Sequence, residues 1–225
     1  VDREMNAVDS ENSKNLQHDE WRGMMLLSSL AKEDHPFSKF GTGNLATLSG
    51  EGVDARSACI EFHKKFYSAN IMKACIQGKE SLEDLEKMAI KYFSGIENKD
   101  LKGPPLVDPR PYTEAETRRI IRWVPVKDKK MISLFFPIPA TQNQYKHKPA
   151  EFLAHLLGHE SKGSVLEALK EEGLANGLGA YEFRSTASFA IFSVSVELTD
   201  NGVSRADDVL AAVFAYIGML NKVGL

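Results

Sequence analysis

Two glutamates seven residues apart, Glu4 and Glu11, are the first side chains in the sequence whose types and spacing could do chemistry. At about 3.6 residues per helical turn they share one face, two turns apart. Ala7 and Val8 fall between them on the same side, so that face also touches apolar material. A carboxylate beside apolar packing must be hydrogen-bonded, ion-paired or bound to a metal. The pattern therefore suits ligation of a cation, and equally an acidic, solvated helix face.

A second candidate is His155-Leu-Leu-Gly-His159-Glu160, which puts two imidazoles four residues apart. That spacing serves zinc when the helix continues through it. Gly158 and the following Ser-Lys-Gly signal a helix ending there, and Glu160 beside His159 would point elsewhere. Zinc, capping and packing all remain open by spacing alone. Gly41-Thr-Gly-Asn44 lacks the Lys-Ser/Thr of a phosphate loop and reads as a structural loop. No Ser-His-Asp order or nucleophile elbow occurs, which disfavours covalent hydrolysis. Cys59 and Cys75 form no CxxC pair and read as buried thiols in a reducing compartment. Trp21 with Met24 and Met25 reads as core, with an aromatic pocket as the alternative. Glu160, Glu171 and Glu172 read as solvated charges.

The elements that must position these groups follow from periodicity. The spacing predicts helix from Arg3 to about Ala31, broken near Leu16-Gln-His18, with Asp19 as a cap for its second half. Pro36 ends that helix. Helical patterns follow at Asp54–Tyr67 and Leu82–Phe93, the second capped by Ser81. Met72–Gly78, Ile120–Pro125, Met131–Pro137 and Phe183–Leu198 read as strands. In the last, Phe189, Ile191, Ser193, Ser195 and Glu197 share one face, and Ala190, Phe192, Val194, Val196 and Leu198 the other. Pro149 opens a helix through Leu157, Gly173 stops another that begins near Gly163, and a final helix spans about Val203–Lys222. Residues 97–113 hold four of the nine prolines and read as a linker. Segregated strands and helices predict an α+β fold.

Composition bounds the rest. The chain has 225 residues, 43% of them hydrophobic, 26% charged, and a net charge of −3. This is the balance of an ordinary globular protein with a sizeable core, and it gives no electrostatic footprint for nucleic acid. No apolar run reaches the length of a membrane span. The chain begins within a helical pattern that has no cap sequence, as a piece of something larger would.

Taken together, Arg3-Glu-Met-Asn-Ala-Val-Asp-Ser-Glu11, Asn15, Trp21-Arg22 and His35-Pro-Phe-Ser-Lys-Phe-Gly-Thr-Gly-Asn44 resemble the insulysin-like members of the pitrilysin family of zinc metallopeptidases, the inverzincins. The likeness continues through Phe62-His63, Gly78-Lys-Glu-Ser-Leu82, Phe136-Pro-Ile-Pro139, Gly158-His-Glu160 and Val196-Glu-Leu-Thr199, so it spans essentially the whole chain. The resemblance implies peptide hydrolysis, with one zinc per full-length enzyme. It implies that Glu11 is the third zinc ligand and Glu4 the acid that supports the site. The other ligands in the family come from His-x-x-Glu-His, which occurs nowhere in these residues.

The same resemblance implies that Trp21 and Met24 line the pocket just past the scissile bond. It implies that His155, Gly158, Glu160, Leu178, Gly179 and Ala180 form a site for the substrate's N-terminal end, with Leu178-Gly-Ala180 starting a strand. Ala180 and Tyr181 stand where the family has smaller residues. Parts of two consecutive α+β domains, each with an antiparallel sheet packed with helices, are expected. Residues 1–103 would be the C-terminal part of the first (catalytic) domain, 104–111 a linker, and 112–225 most of the second. The expected partners are peptide substrates, the remainder of the same chain and a second copy in a homodimer, with neither nucleic acid nor membrane, and the expected location is the cytoplasm. A segment without His-x-x-Glu-His is expected to be inactive by itself. A non-catalytic peptide-binding member of the family is the alternative.

Overall fold

The computed structural model describes residues 1–103 and 106–224. Pro104 and Pro105, the start of the expected linker, lie outside the described residues. The fold is α+β, as expected: helices combined with a three-stranded antiparallel sheet. The chain forms two compact units, Val1–Lys14 with Gly41–Pro105, and Asn15–Phe40 with Leu106–Leu225.

In the first unit, α1 (Asp2–Asn15) ends where the sequence predicts a break. Asp9 on this helix accepts the Leu45 N–H at 2.8 Å, which ties α1 to the short helix α3 (Leu45–Leu48). Asn44 and Thr47 close a capping box at the start of α3. Helices α4 (Ala55–Phe66) and α5 (Leu82–Phe93) follow, capped by Asp54 and Ser81. Their apolar stripes form as predicted, but Phe62 is 57% exposed and Phe93 45%. Among the described residues of this unit only Asn12 and Ser68 are buried. Cys59 and Cys75 are correspondingly exposed, against the expectation of buried thiols. Residues 72–78 make no strand, because a strand needs a ladder partner and none is present among the described residues.

The second unit holds the core. Strands β1 (Met131–Pro139), β2 (Ala175–Ser185) and β3 (Phe189–Leu198) stand in the order β1-β3-β2. On one face Leu178, Phe192, Val194 and Val196 pack with Leu157 of α6 (Pro149–Leu157), Leu166 and Leu169 of α7 (Val165–Glu171), and Val209 and Val213 of α9 (Ala206–Val223). Burial of each such side chain stabilises the unit by about 1.5–3 kcal/mol relative to exposure. Pro149 opens α6, and Gly173, at φ +66°, ends α7 in the left-handed turn that glycine adopts without strain. Short helix α8 (Asp200–Ser204) precedes α9. On the opposite face of the sheet, Phe189 meets the rings of Phe37 and His35 at 5.4 and 5.6 Å. His35 is buried, with Nδ1 accepting the Phe37 N–H and Nε2 bonded to the Asp108 carbonyl.

Asp19 does not cap α2 (Asp19–Ser29); His18 occupies the cap position. The carboxylate is buried and instead accepts the N–H groups of Val126 and Lys127 at 2.7 and 3.0 Å, with Arg22 beside it at 3.1 Å. It thereby holds the stretch 120–127 along α2. That stretch has no strand pairing among the described residues, although the sequence predicts a strand there. Its Trp123 ring lies under the Arg22 guanidinium at 5.3 Å.

The Val126 N–H, followed by the other donors, keeps the Asp19 carboxyl below its ordinary value of 3.8. A lowered folded-state pKa contributes stability that is present above the unfolded value and lost as pH falls through the folded one. Asp19→Asn should therefore weaken the fold near neutrality and flatten the acid side of the stability profile below about pH 4. Urea midpoints for both proteins across that range test this; parallel profiles would exclude it.

Candidate functional site

Glu4 and Glu11 lie on one face of α1, both exposed, and neither has a hydrogen bond or ion pair among the described residues. Asp9, on the same helix, is spent on the Leu45 N–H. The helix thus separates a carboxylate that fixes the backbone from two that remain available to a ligand. No group of three His, Cys, Asp or Glu side chains suited to a metal occurs among the described residues. By itself Glu11 could fill only one position of a zinc shell, whose further donors would have to come from outside these residues.

The peptide-binding candidates gather in the second unit, where α6 packs on β2. The strand register explains why this edge is open. Leu198 donates its N–H to the Lys130 carbonyl at 2.7 Å, so its main-chain groups point toward β1. Alternation turns those of Ser193, Ser195 and Glu197 toward β2. Their partners Tyr181, Gly179 and Gly177 point back, which leaves the N–H and C=O of Leu178 and Ala180 facing outward. Gly158 sits beside that edge. A Cβ placed on it would lie 3.4 Å from the Ala180 nitrogen and 3.0 Å from the Ala154 carbonyl oxygen. The missing side chain keeps the approach to Ala180 clear.

The opposite edge is different. By the same alternation Pro137 and Pro139 of β1 turn their backbone outward, and proline has no N–H to offer there. The prolines remove two outward donors from β1, which keeps those of Ser133 and Phe135, whereas β2 has no proline among its outward residues.

The Leu178 side chain is buried in the core, so its contribution at the edge is its backbone. His155 and His159 are exposed and meet edge to face, with centroids 5.3 Å apart. His159 Nδ1 accepts the Ser161 N–H at 3.2 Å, the local bond of a chain leaving a helix. No third ligand joins this pair among the described residues. Glu160 is exposed, 3.9 Å from Lys170. Trp21 is 40% exposed. Met24 is half-buried and its sulfur receives a guanidinium N–H of Arg184 at 2.9 Å. Arg184 escaped the sequence reading; the only signal was one arginine inside a strand pattern.

The family model described as "Peptidase M16 inactive domain" matches residues 56–225. The chain is 42% identical to an insulin-degrading enzyme of Drosophila melanogaster over 229 residues, covering 100% of this chain and 23% of that protein. It is 40% identical to an insulin-degrading enzyme of Homo sapiens, covering 99% of this chain and 22% of that one. The crystal structure of pitrilysin superposes with a TM-score of 0.93 at 34% identity, over 100% of this chain and 24% of that chain. The chain thus spans about a quarter of the length of the relatives it matches.

Proposed function

The chain belongs to the peptidase M16 family, and on that premise we propose that it is a segment of an insulysin-like zinc metalloendopeptidase that cleaves peptides. The observation that carries the reading is the open β2 edge, where Leu178 and Ala180 offer outward main-chain groups beside a glycine. A peptide adding there as a further strand would gain main-chain hydrogen bonds, while the clear space at Gly158 admits its end. His155, Glu160 and Gly179 border that position. Trp21 and Met24 form the wall of the pocket beyond the scissile bond.

Glu11 is the zinc ligand supplied by this segment, and Glu4, two turns away on the same face, orients the site. When bound, zinc supplies Lewis acidity toward the scissile carbonyl and a water of lowered pKa. The role of these residues is then to hold one ligand in place on a helix anchored through Asp9. Residues 1–103 belong to the catalytic domain, 104–111 to a linker and 112–225 to the second domain. The exposed stripes of α4 and α5 suit coverage by the remainder of the same chain. The cytoplasm suits two exposed, unpaired cysteines. The prediction that this segment is inactive alone rests on the missing His-x-x-Glu-His.

Ala180→Pro tests the edge. It removes an outward N–H while leaving the ladder to β3 intact, which an edge strand tolerates. Peptide affinity should fall roughly threefold to tenfold with little loss of stability. Gly179→Pro, which removes an inward N–H, should destabilise the sheet instead. Unchanged peptide affinity in a folded Ala180→Pro variant, read by fluorescence anisotropy, would rule the edge out.

A second reading, a non-catalytic member that only captures peptides, is favoured by the description of the matching model as an inactive domain. Zinc-dependent cleavage by the full-length protein discriminates the two.

A further inference from the structure

Arg184 is placed by an irregularity in β2. From Gly177 to Glu182 the strand alternates regularly, and Leu178, Ala180 and Glu182 oppose Val196, Val194 and Phe192 on the core face. Continued alternation would turn Arg184 into that core. Between Glu182 and Arg184 the register shifts, and Arg184 stands opposite Ile191 on the other face. Phe183 points to that face too, with its ring 5.3 Å from Phe135, which opposes Ser193. Two successive side chains on one side are the mark of a β-bulge, a device that re-aims a side chain.

The re-aimed guanidinium finds no anion. Its Nε is buried without a hydrogen-bond partner, the only such side-chain atom among the described residues. One terminal N–H reaches the Met24 sulfur at 2.9 Å, a weak acceptor that carries no charge. No carboxylate pairs with it among the described residues, and Glu182, its acidic neighbour on the strand, accepts the Thr141 hydroxyl instead at 2.6 Å. A guanidinium presents its donors in a fork that matches a carboxylate.

We propose that Arg184 is a specificity residue that grips a carboxylate of the peptide substrate, the side chain of Asp or Glu. The reading rests on the peptidase function proposed above. Its location supports a substrate rather than a structural carboxylate. Arg184 lies on the strand whose edge would receive the peptide, four residues beyond Ala180, about 13 Å along an extended chain. It also touches Met24, a residue of the proposed pocket wall. A peptide running along β2 would be held by main-chain bonds at Leu178 and Ala180. Its register would be set by an acidic residue at Arg184.

The test uses the full-length peptidase and short fluorogenic peptides that differ only by Glu or Gln at single positions. The parent should prefer Glu at one position by about tenfold in kcat/KM. Arg184→Gln should abolish that preference by slowing the Glu peptide more than the Gln peptide, Arg184→Lys should restore part of it, and Arg184→Glu should favour Lys at the same position. Binding of the same peptides, measured by anisotropy, gives a readout that needs no turnover. No Glu preference in either assay, or an equal loss for all peptides in Arg184→Gln, would overturn the proposal. Failure to cleave any peptide, with the Glu preference in binding retained, would overturn the peptidase reading and leave the Arg184 assignment standing.

Discussion

Glu11→Gln in the full-length peptidase should lower peptide hydrolysis by more than about a hundredfold and release zinc. A ligating carboxylate contributes charge as well as geometry, and a neutral amide keeps only the shape. Residues that orient metal ligands typically cost about 10–100-fold when removed, so Glu4→Gln should fall in that range and below Glu11→Gln in effect. Both side chains are exposed on α1, so neither change should move the urea midpoint measured without zinc. Zinc content measured after dialysis separates the two roles, with loss in Glu11→Gln and partial retention in Glu4→Gln. Full activity and full zinc in Glu11→Gln would remove this residue from the site. The 225-residue chain alone should bind zinc only weakly, because one carboxylate does not make a zinc shell.

Gly202→Ala should destabilise the second unit by about 3 kcal/mol or more, the largest effect expected of a single methyl group. Gly202 is buried in α8, where a Cβ would overlap the Leu174 carbonyl. That carbonyl is backbone, already accepting the Thr199 N–H at 3.1 Å, so it cannot swing aside as a side chain would. The chain must part α8 from the start of β2 and disturb Leu174, which is 2% exposed. Gly218→Ala is the contrast. Gly218 lies in α9 with nothing within 4 Å of a new Cβ, and the substitution should stabilise the helix by about 1 kcal/mol. Equal urea midpoints for the two variants would contradict this account.

The first unit carries an energetic consequence of its own. Helices α4 and α5 have the stripes that their sequences predict, yet Phe62, Phe66, Met88 and Phe93 all remain exposed. An amphipathic stripe forms from local periodicity, but its burial needs a second layer. The same lack of a neighbour leaves residues 72–78 without a ladder.

Particular residues show how far the sequence could be read. Ser81, Pro149 and Gly173 act as the local signals say, and the break between α1 and α2 falls where expected. The alternation of Phe189–Leu198 separates the two sheet faces correctly, and Phe192, Val194, Val196 and Leu198 enter the core. Asp19 departs from the cap its position predicts because the same residue type that caps a helix also binds any nearby backbone N–H, here those of Val126 and Lys127. The first half of β2 was legible only through family resemblance, since Asn176-Gly-Leu-Gly-Ala180 is poor in the branched and aromatic residues that mark strands. The bulge at Glu182–Arg184 left no legible mark.

By itself the sequence determined the local elements, the apolar faces and the spacing of Glu4 and Glu11 on one helix. Caps, turns and periodicity act within about four residues, so they are written in consecutive letters. Only the tertiary structure decided which extended stretches become strands, which edge of the sheet stays open, and where Arg184 points. Those outcomes depend on register and on partners as distant as Met24 and Arg184, 160 residues apart. Glu4 and Glu11 stand between the two cases: their shared face is local, whereas the ligands that would complete a zinc site are not.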